Sequence, residues 1–119
     1  MKFSVKERLM LLSIMPSQGN LITLRLIRQA REELGFNEAE HENLSLGVEE
    51  NSYRWDDKAE AEAGPKKIEL GPVVRDIILK AFEVLDVSES LELIHLALYE
   101  RFIEDVQEDY EGDESIPIR

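Results

Sequence analysis

Cysteine is missing from this chain of 119 residues. Its absence excludes disulfides, thiolate nucleophiles, and zinc or iron–sulfur centres held by cysteine. Glycine is scarce and scattered. Gly19, Gly35, Gly47, Gly64 and Gly71 stand alone, and no G-x-G-x-x-G or G-x-x-x-x-G-K run offers a backbone cradle for phosphate. The chain has two histidines, His41 and His95, and no H-E-x-x-H pattern. Long apolar runs are also lacking. Residues 9–12, with Ile14 and Met15, are too few to span a membrane, and Glu7 interrupts the basic residues Lys2, Lys6 and Arg8 before them. This segment reads as a core helix, not a targeting signal, and predicts a cytoplasmic protein with no membrane contact.

Positive charge is in deficit, with 14 Lys and Arg against 26 Asp and Glu. The deficit is uneven, since residues 1–35 carry a net charge of +3 and residues 36–119 one of −15. An acidic body repels duplex phosphates, so direct nucleic-acid binding is not expected of the whole chain. The 43% hydrophobic content lies near the globular norm, and the length suits one domain. We expect that domain to cover residues 1–106. Between Glu104 and Glu114 there are seven acids and no base, so residues 107–119 read as a disordered acidic tail.

The helical pattern is clear at both ends. Ser4 with Glu7 forms a capping box for a helix over 5–15, and Pro16 stops it. The helix is apolar over most of its girth, which predicts burial on several sides. A second helix over 21–34 carries its apolar stripe at Leu24, Ile27, Ala30 and Leu34. The short turn at 17–20 makes the two an antiparallel hairpin. Asn37 and Glu40 offer a second capping box for one or two turns to about residue 43. Val74, Ile77, Ile78, Ala81, Phe82 and Leu85 mark a helix opened by Pro72. A last helix over 89–107 has its stripe at Leu91, Ile94, His95, Leu98, Phe102 and Val106.

The middle of the chain reads as β-structure. Leu44, Leu46 and Val48 alternate with Ser45 and Gly47, a period of two. With Tyr53 and Trp55 this predicts a β-hairpin closed by the four-residue loop 49–52. Residues 56–65 read as a connecting loop able to form transient helix, and Ile68 and Leu70 as a short third strand. The expected fold is therefore α+β: a mainly helical bundle of four main helices, with a small antiparallel β-hairpin or three-stranded sheet inserted between the helical pairs.

No catalytic, cofactor-binding or metal-ligating set emerges. His41 sits among Glu38, Glu40 and Glu42 and reads as an exposed polar-turn residue. His95 falls inside an apolar stripe and reads as a half-buried histidine bonded to a neighbour. Asp56 and Asp57 lack the spacing of a calcium loop and read as a solvated strand exit. Three features could make contacts. Arg25, Arg28 and Arg31 share a helix and could grip anions, although pairing with acids on other helices or on a partner is the ordinary use of such charges. Tyr53 and Trp55 could form an aromatic platform, with core packing the commoner fate. Glu104, Asp105, Glu108 and Asp109 could imitate a phosphate backbone or simply solvate the chain.

Three segments carry a resemblance: residues 7–16 (ERLMLLSIMP) with Gly19-Asn20 and Thr23-Leu24-Arg25, Tyr53-Arg54-Trp55 with Ile68-Glu69-Leu70-Gly71, and Leu98-Tyr99-Glu100-Arg101-Phe102. Together they resemble small uncharacterised proteins encoded by bacteriophages and mobile elements. The resemblance implies a non-enzymatic role and brings no catalytic residues. The leading expectation is a small acidic protein-interaction or assembly protein that binds a protein partner or itself as a homo-oligomer. The alternatives are an acidic inhibitor of a nucleic-acid-binding enzyme, of anti-defence or polymerase-modulating type, and a winged-helix-like regulator using its arginines.

Overall fold

The structure is a computed structural model that describes the backbone of residues 1–111 and the side chains up to Glu104. It is α+β. In chain order the elements are β1 (Lys2–Phe3), α1 (Val5–Ile14), α2 (Leu21–Leu34), α3 (Glu38–Leu44), β2 (Gly47–Glu49), β3 (Ser52–Arg54), α4 (Asp57–Ala63), β4 (Lys66–Lys67), α5 (Pro72–Val87) and α6 (Leu93–Glu111). The chain divides into one unit of Met1–Leu70 and a second beginning at Gly71.

In the first unit, α1 and its C-cap Met15 bury Val5, Arg8, Leu11 and Met15 on one stripe, while Leu9, Met10, Leu12 and Ile14 are half-buried. Helix α2 contributes Ile27, Ala30 and Leu34 to the core. The start of α1 is secured twice. Ser4 Oγ accepts from the Glu7 N–H at 3.2 Å and Glu7 Oε1 accepts from the Ser4 N–H at 2.9 Å, the expected capping box. Glu60 of α4 adds a third acceptor, taking the Val5 N–H at 2.7 Å. Negative charge at a helix N-terminus also complements the helix dipole.

Several expectations are corrected. The described residues hold six helices, not four main ones. Residues 56–65 contain α4 because Asp56 caps it, accepting from the Lys58 and Ala59 N–H groups; it is a helix start, not a solvated strand exit. Leu44 closes α3 instead of opening a strand. Ser45 adopts a left-handed conformation (φ 49°), and the Leu46 N–H bonds the His41 carbonyl at 3.1 Å, a Schellman stop without glycine. The hairpin is correspondingly shorter and its turn tighter. Glu49 pairs with Ser52, so the turn is Glu50-Asn51, both at positive φ as a type I′ turn demands. The anticipated third strand does not join this hairpin. Lys66 and Lys67 of β4 pair antiparallel with Phe3 and Lys2 of β1, making two separate two-stranded sheets.

The second unit is a helical hairpin. Val74, Ile78 and Phe82 of α5 and His95, Leu98 and Phe102 of α6 are buried. Phe82 sits edge-on to Tyr99 and His95, with ring centroids 5.9 and 6.3 Å away. The turn between the helices is another Schellman stop. The Ser90 N–H bonds the Leu85 carbonyl at 2.8 Å, the Glu89 N–H bonds that of Asp86 at 3.0 Å, and Glu89 takes the left-handed position at φ 57°. Helix α6 thus starts at Leu93, four residues later than the periodicity suggests, and its backbone runs on to Glu111. The acidic tail expected at 107–119 lies outside the described residues beyond that point.

Candidate interaction surface

The structure distributes the sequence-predicted residues unequally. Arg25, Arg28 and Arg31 are all exposed on α2. Arg31 Nη2 donates to the Met15 carbonyl at 3.4 Å, across the α1–α2 hairpin. Among the described residues Arg25 and Arg28 have no ion pair or hydrogen bond. Beside them lie uncovered apolar side chains: Leu21 is 65% exposed, Ile22 71%, and Leu24 is also exposed. The extent of α2 packing explains this. The helix buries its second half through Ile27, Ala30 and Leu34, whereas its first turn has only Thr23 as a half-buried residue. An exposed face of three aliphatic side chains and two unpaired guanidinium groups results. Apolar anchors combined with arginine are typical of protein-binding patches.

Tyr53 and Trp55 do not form one platform. Tyr53 is 56% exposed and lies opposite Val48 across the hairpin, which is itself exposed on every residue of both strands. Trp55 lies just beyond β3, half-buried, with its indole N–H donating to Glu60 Oε1 at 3.0 Å. Glu60 therefore bonds both Trp55 and the start of α1. Glu104 is exposed on α6, while the side chains of Asp105, Glu108 and Asp109 lie outside the described residues. His41 is exposed, edge-on to Phe36 at 6.3 Å. His95 is buried, and its Nδ1 accepts from the Glu92 N–H at 2.9 Å. Glu92 is the N-cap of α6, because its carbonyl accepts the Leu96 N–H. His95 thus fills the role of the third-position acceptor in a capping box, with its ring proton on Nε2.

Sequence reasoning missed the most highly connected group in the first unit, Arg8. Its side chain is 3% exposed. Nε donates to the Leu34 carbonyl at 3.0 Å, Nη2 to the Gly35 carbonyl, and Nη1 to Glu40 Oε2 at 2.6 Å. Its Cζ also lies 3.9 Å from the centre of the Phe36 ring. The orphan carbonyls ending α2 are thereby satisfied by a cation, and that cation is neutralised from the first turn of α3. Gly35 is needed at this corner, since a Cβ there would stand 2.9 Å from the Arg31 carbonyl oxygen. Burial pushes the Glu40 carboxyl up. Hydrogen bonds from Arg8 and the Asn37 N–H, the Arg8 charge and Lys66 outweigh it and hold the pKa at about 2. One signal in the sequence pointed here: Arg8 occupies a core position in the stripe 5, 8, 11, 15. Its partners all bind it structurally, so this cluster offers no reacting group.

A groove of about 560 Å³ runs along the α2–α3 corner and β4, lined by Arg31, Gly35, Phe36, Lys66, Lys67 and Ile68 with acids interleaved. Lys66 is engaged by Glu40 at 3.3 Å and Lys67 by Glu69 at 3.5 Å, so its positive charge is largely neutralised. Among the described residues no three His, Asp or Glu side chains converge as a cation site, and no helix is long and apolar enough to cross a membrane. In comparisons with known proteins, no family model, no curated protein and no solved structure matches the chain.

Proposed function

We propose that this is a non-enzymatic protein-interaction module whose docking face is the exposed start of α2. The observation that carries the reading is that, among the described residues, Arg25 and Arg28 are unpaired beside uncovered Leu21, Ile22 and Leu24. Guanidinium groups left free beside apolar side chains suit a partner that brings both carboxylates and aliphatic surface. The resemblance to phage- and mobile-element-encoded proteins fits such a role in a host cytoplasm.

The order α1–α2–α3–β2–β3 is also that of a winged helix, which supports a regulator as the second reading. The sign of its surface argues for a protein target even so. Helix α3 stands in the place of a recognition helix, and it carries Glu38, Glu40 and Glu42 with no Lys or Arg. Immobilised protein and an Arg25→Glu/Arg28→Glu variant should be compared for partners recovered from a host extract. Specific recovery by the native face alone supports the proposal. Identical recovery, or a duplex DNA shift lost in the variant, rejects it in favour of another surface or of DNA.

A further inference from the structure

We infer that the α2 docking face is occupied by helix α6 of a second copy of this chain. The inference rests on the reading of α2 as a docking face and adds the identity of its occupant. The exposed side chains of the two helices follow one pattern. On α2 the sequence is Leu21, Leu24, Arg28, at steps of three and then four. On α6 it is Leu93, Leu96, Glu100, at the same steps. All six are exposed, Leu93 at 84% and Leu96 at 47%. Spacing of three and four places each set on one helix stripe, as in the a and d positions of a heptad.

Laid parallel, the two stripes bring leucine against leucine twice and then arginine against glutamate. Because every residue rises about 1.5 Å, the shared seven-residue step keeps the apolar and ionic contacts in register over about 10 Å. Arg25 lies between Leu24 and Arg28 on α2, and Glu104 lies one turn beyond Glu100 on α6, so each adds charge of the same sign to its own helix. An antiparallel arrangement would set leucine against the charged groups, so the pattern selects the parallel one. It also selects between like and unlike pairs: two α2 faces bring arginines together and two α6 faces bring glutamates together, both repulsive. Only α2 with α6 is complementary. An acidic chain is thus able to associate through this basic apolar patch despite its net charge of −12.

Sedimentation equilibrium of the full chain tests this, with circular dichroism confirming that each variant is folded. The native protein should associate with rising concentration, and more weakly as salt rises from about 50 to about 500 mM. Arg25→Glu/Arg28→Glu and, separately, Glu100→Lys/Glu104→Lys should each weaken association about tenfold or more. Mixing the two variants should restore it, because each mismatched face then meets its opposite. A protein that stays monomeric throughout overturns the inference, as do variants that associate like the native chain or whose mixture does not recover. If the chain is monomeric yet retains a partner dependent on Arg25 and Arg28, the docking face stands and only its occupant is wrong.

Discussion

The guanidinium of Arg8 and the carboxylate of Glu40 meet in two hydrogen bonds, Nη1 to Oε2 at 2.6 Å and Nη2 to Oε1 at 3.2 Å. The two residues are thirty-two positions apart, and between them the chain makes helix α2 and the corner into α3. Glu40 also accepts the Asn37 N–H at 3.1 Å, so one carboxylate both starts α3 and neutralises the cation that ends α2.

Glu40→Ala should therefore destabilise the first unit by about 3 kcal/mol, since it strands a buried charge. Arg8→Met should cost about 2 kcal/mol, leaving two helix-end carbonyls without a donor while Glu40 keeps some access to water. The double variant should lose less than the sum of the two, by at least about 1 kcal/mol. Urea unfolding of the four proteins measures this, and strictly additive losses would show that the pair is not coupled.

The same carboxylate sets an acid limit. Its pKa is about 2 in the fold against an ordinary 4.5, so the folded state binds the proton less readily than the unfolded one. The stabilisation is complete above pH 4.5 and drains away as the pH falls from there towards 2. Stability of the native protein measured across this range should fall more steeply than that of Glu40→Gln, and parallel curves would contradict the assignment.

Glu89 occupies a left-handed position that glycine fills without strain. Glu89→Gly should raise the stability of the second unit by about 0.5–1 kcal/mol, and Glu89→Val should lower it. Melting temperatures of the three proteins provide the test. A decrease with glycine would mean that the Glu89 side chain, not its backbone, holds the turn.

For His95 the expectation separates a structural residue from a reactive one. His95→Ala removes the acceptor of the Glu92 N–H and the ring against Phe82, at a cost of about 2–3 kcal/mol. His95→Gln restores an acceptor at the third helical position, where glutamine serves in capping boxes, and should recover part of the loss. Equal losses in the two variants would assign the whole effect to packing.

The elements legible in the sequence were those defined by local chemistry. The Ser4–Glu7 and Asn37–Glu40 boxes, the Pro16 stop and the stripe of α5 all depend on residues within a few positions of one another, and the structure shows each. The misread elements depend on backbone states that the residue types disguise. Ser45 stops α3 where a glycine would have advertised the stop, and Glu50 occupies a hairpin position that usually holds asparagine or glycine. Read without those stops, Leu44, Leu46 and Val48 look like one alternating strand. The candidate surface was half legible. The three arginines of α2 were visible, but the exposure of Leu21 and Ile22 depends on where α2 meets its neighbours, which helical periodicity does not encode. Arg8 was hidden for the opposite reason, since a buried cation is identified by carbonyls and a carboxylate far along the chain.

Glu60 has an optical consequence. It bonds the indole of Trp55, the sole tryptophan of the chain, and the same carboxylate receives the first amide of α1. Fluorescence excited at the indole therefore reports the integrity of the Met1–Leu70 unit. Far-ultraviolet dichroism weighs all the helices together. When the two signals are followed through one unfolding titration, their coincidence or separation states whether the halves of this molecule melt as one body or in turn.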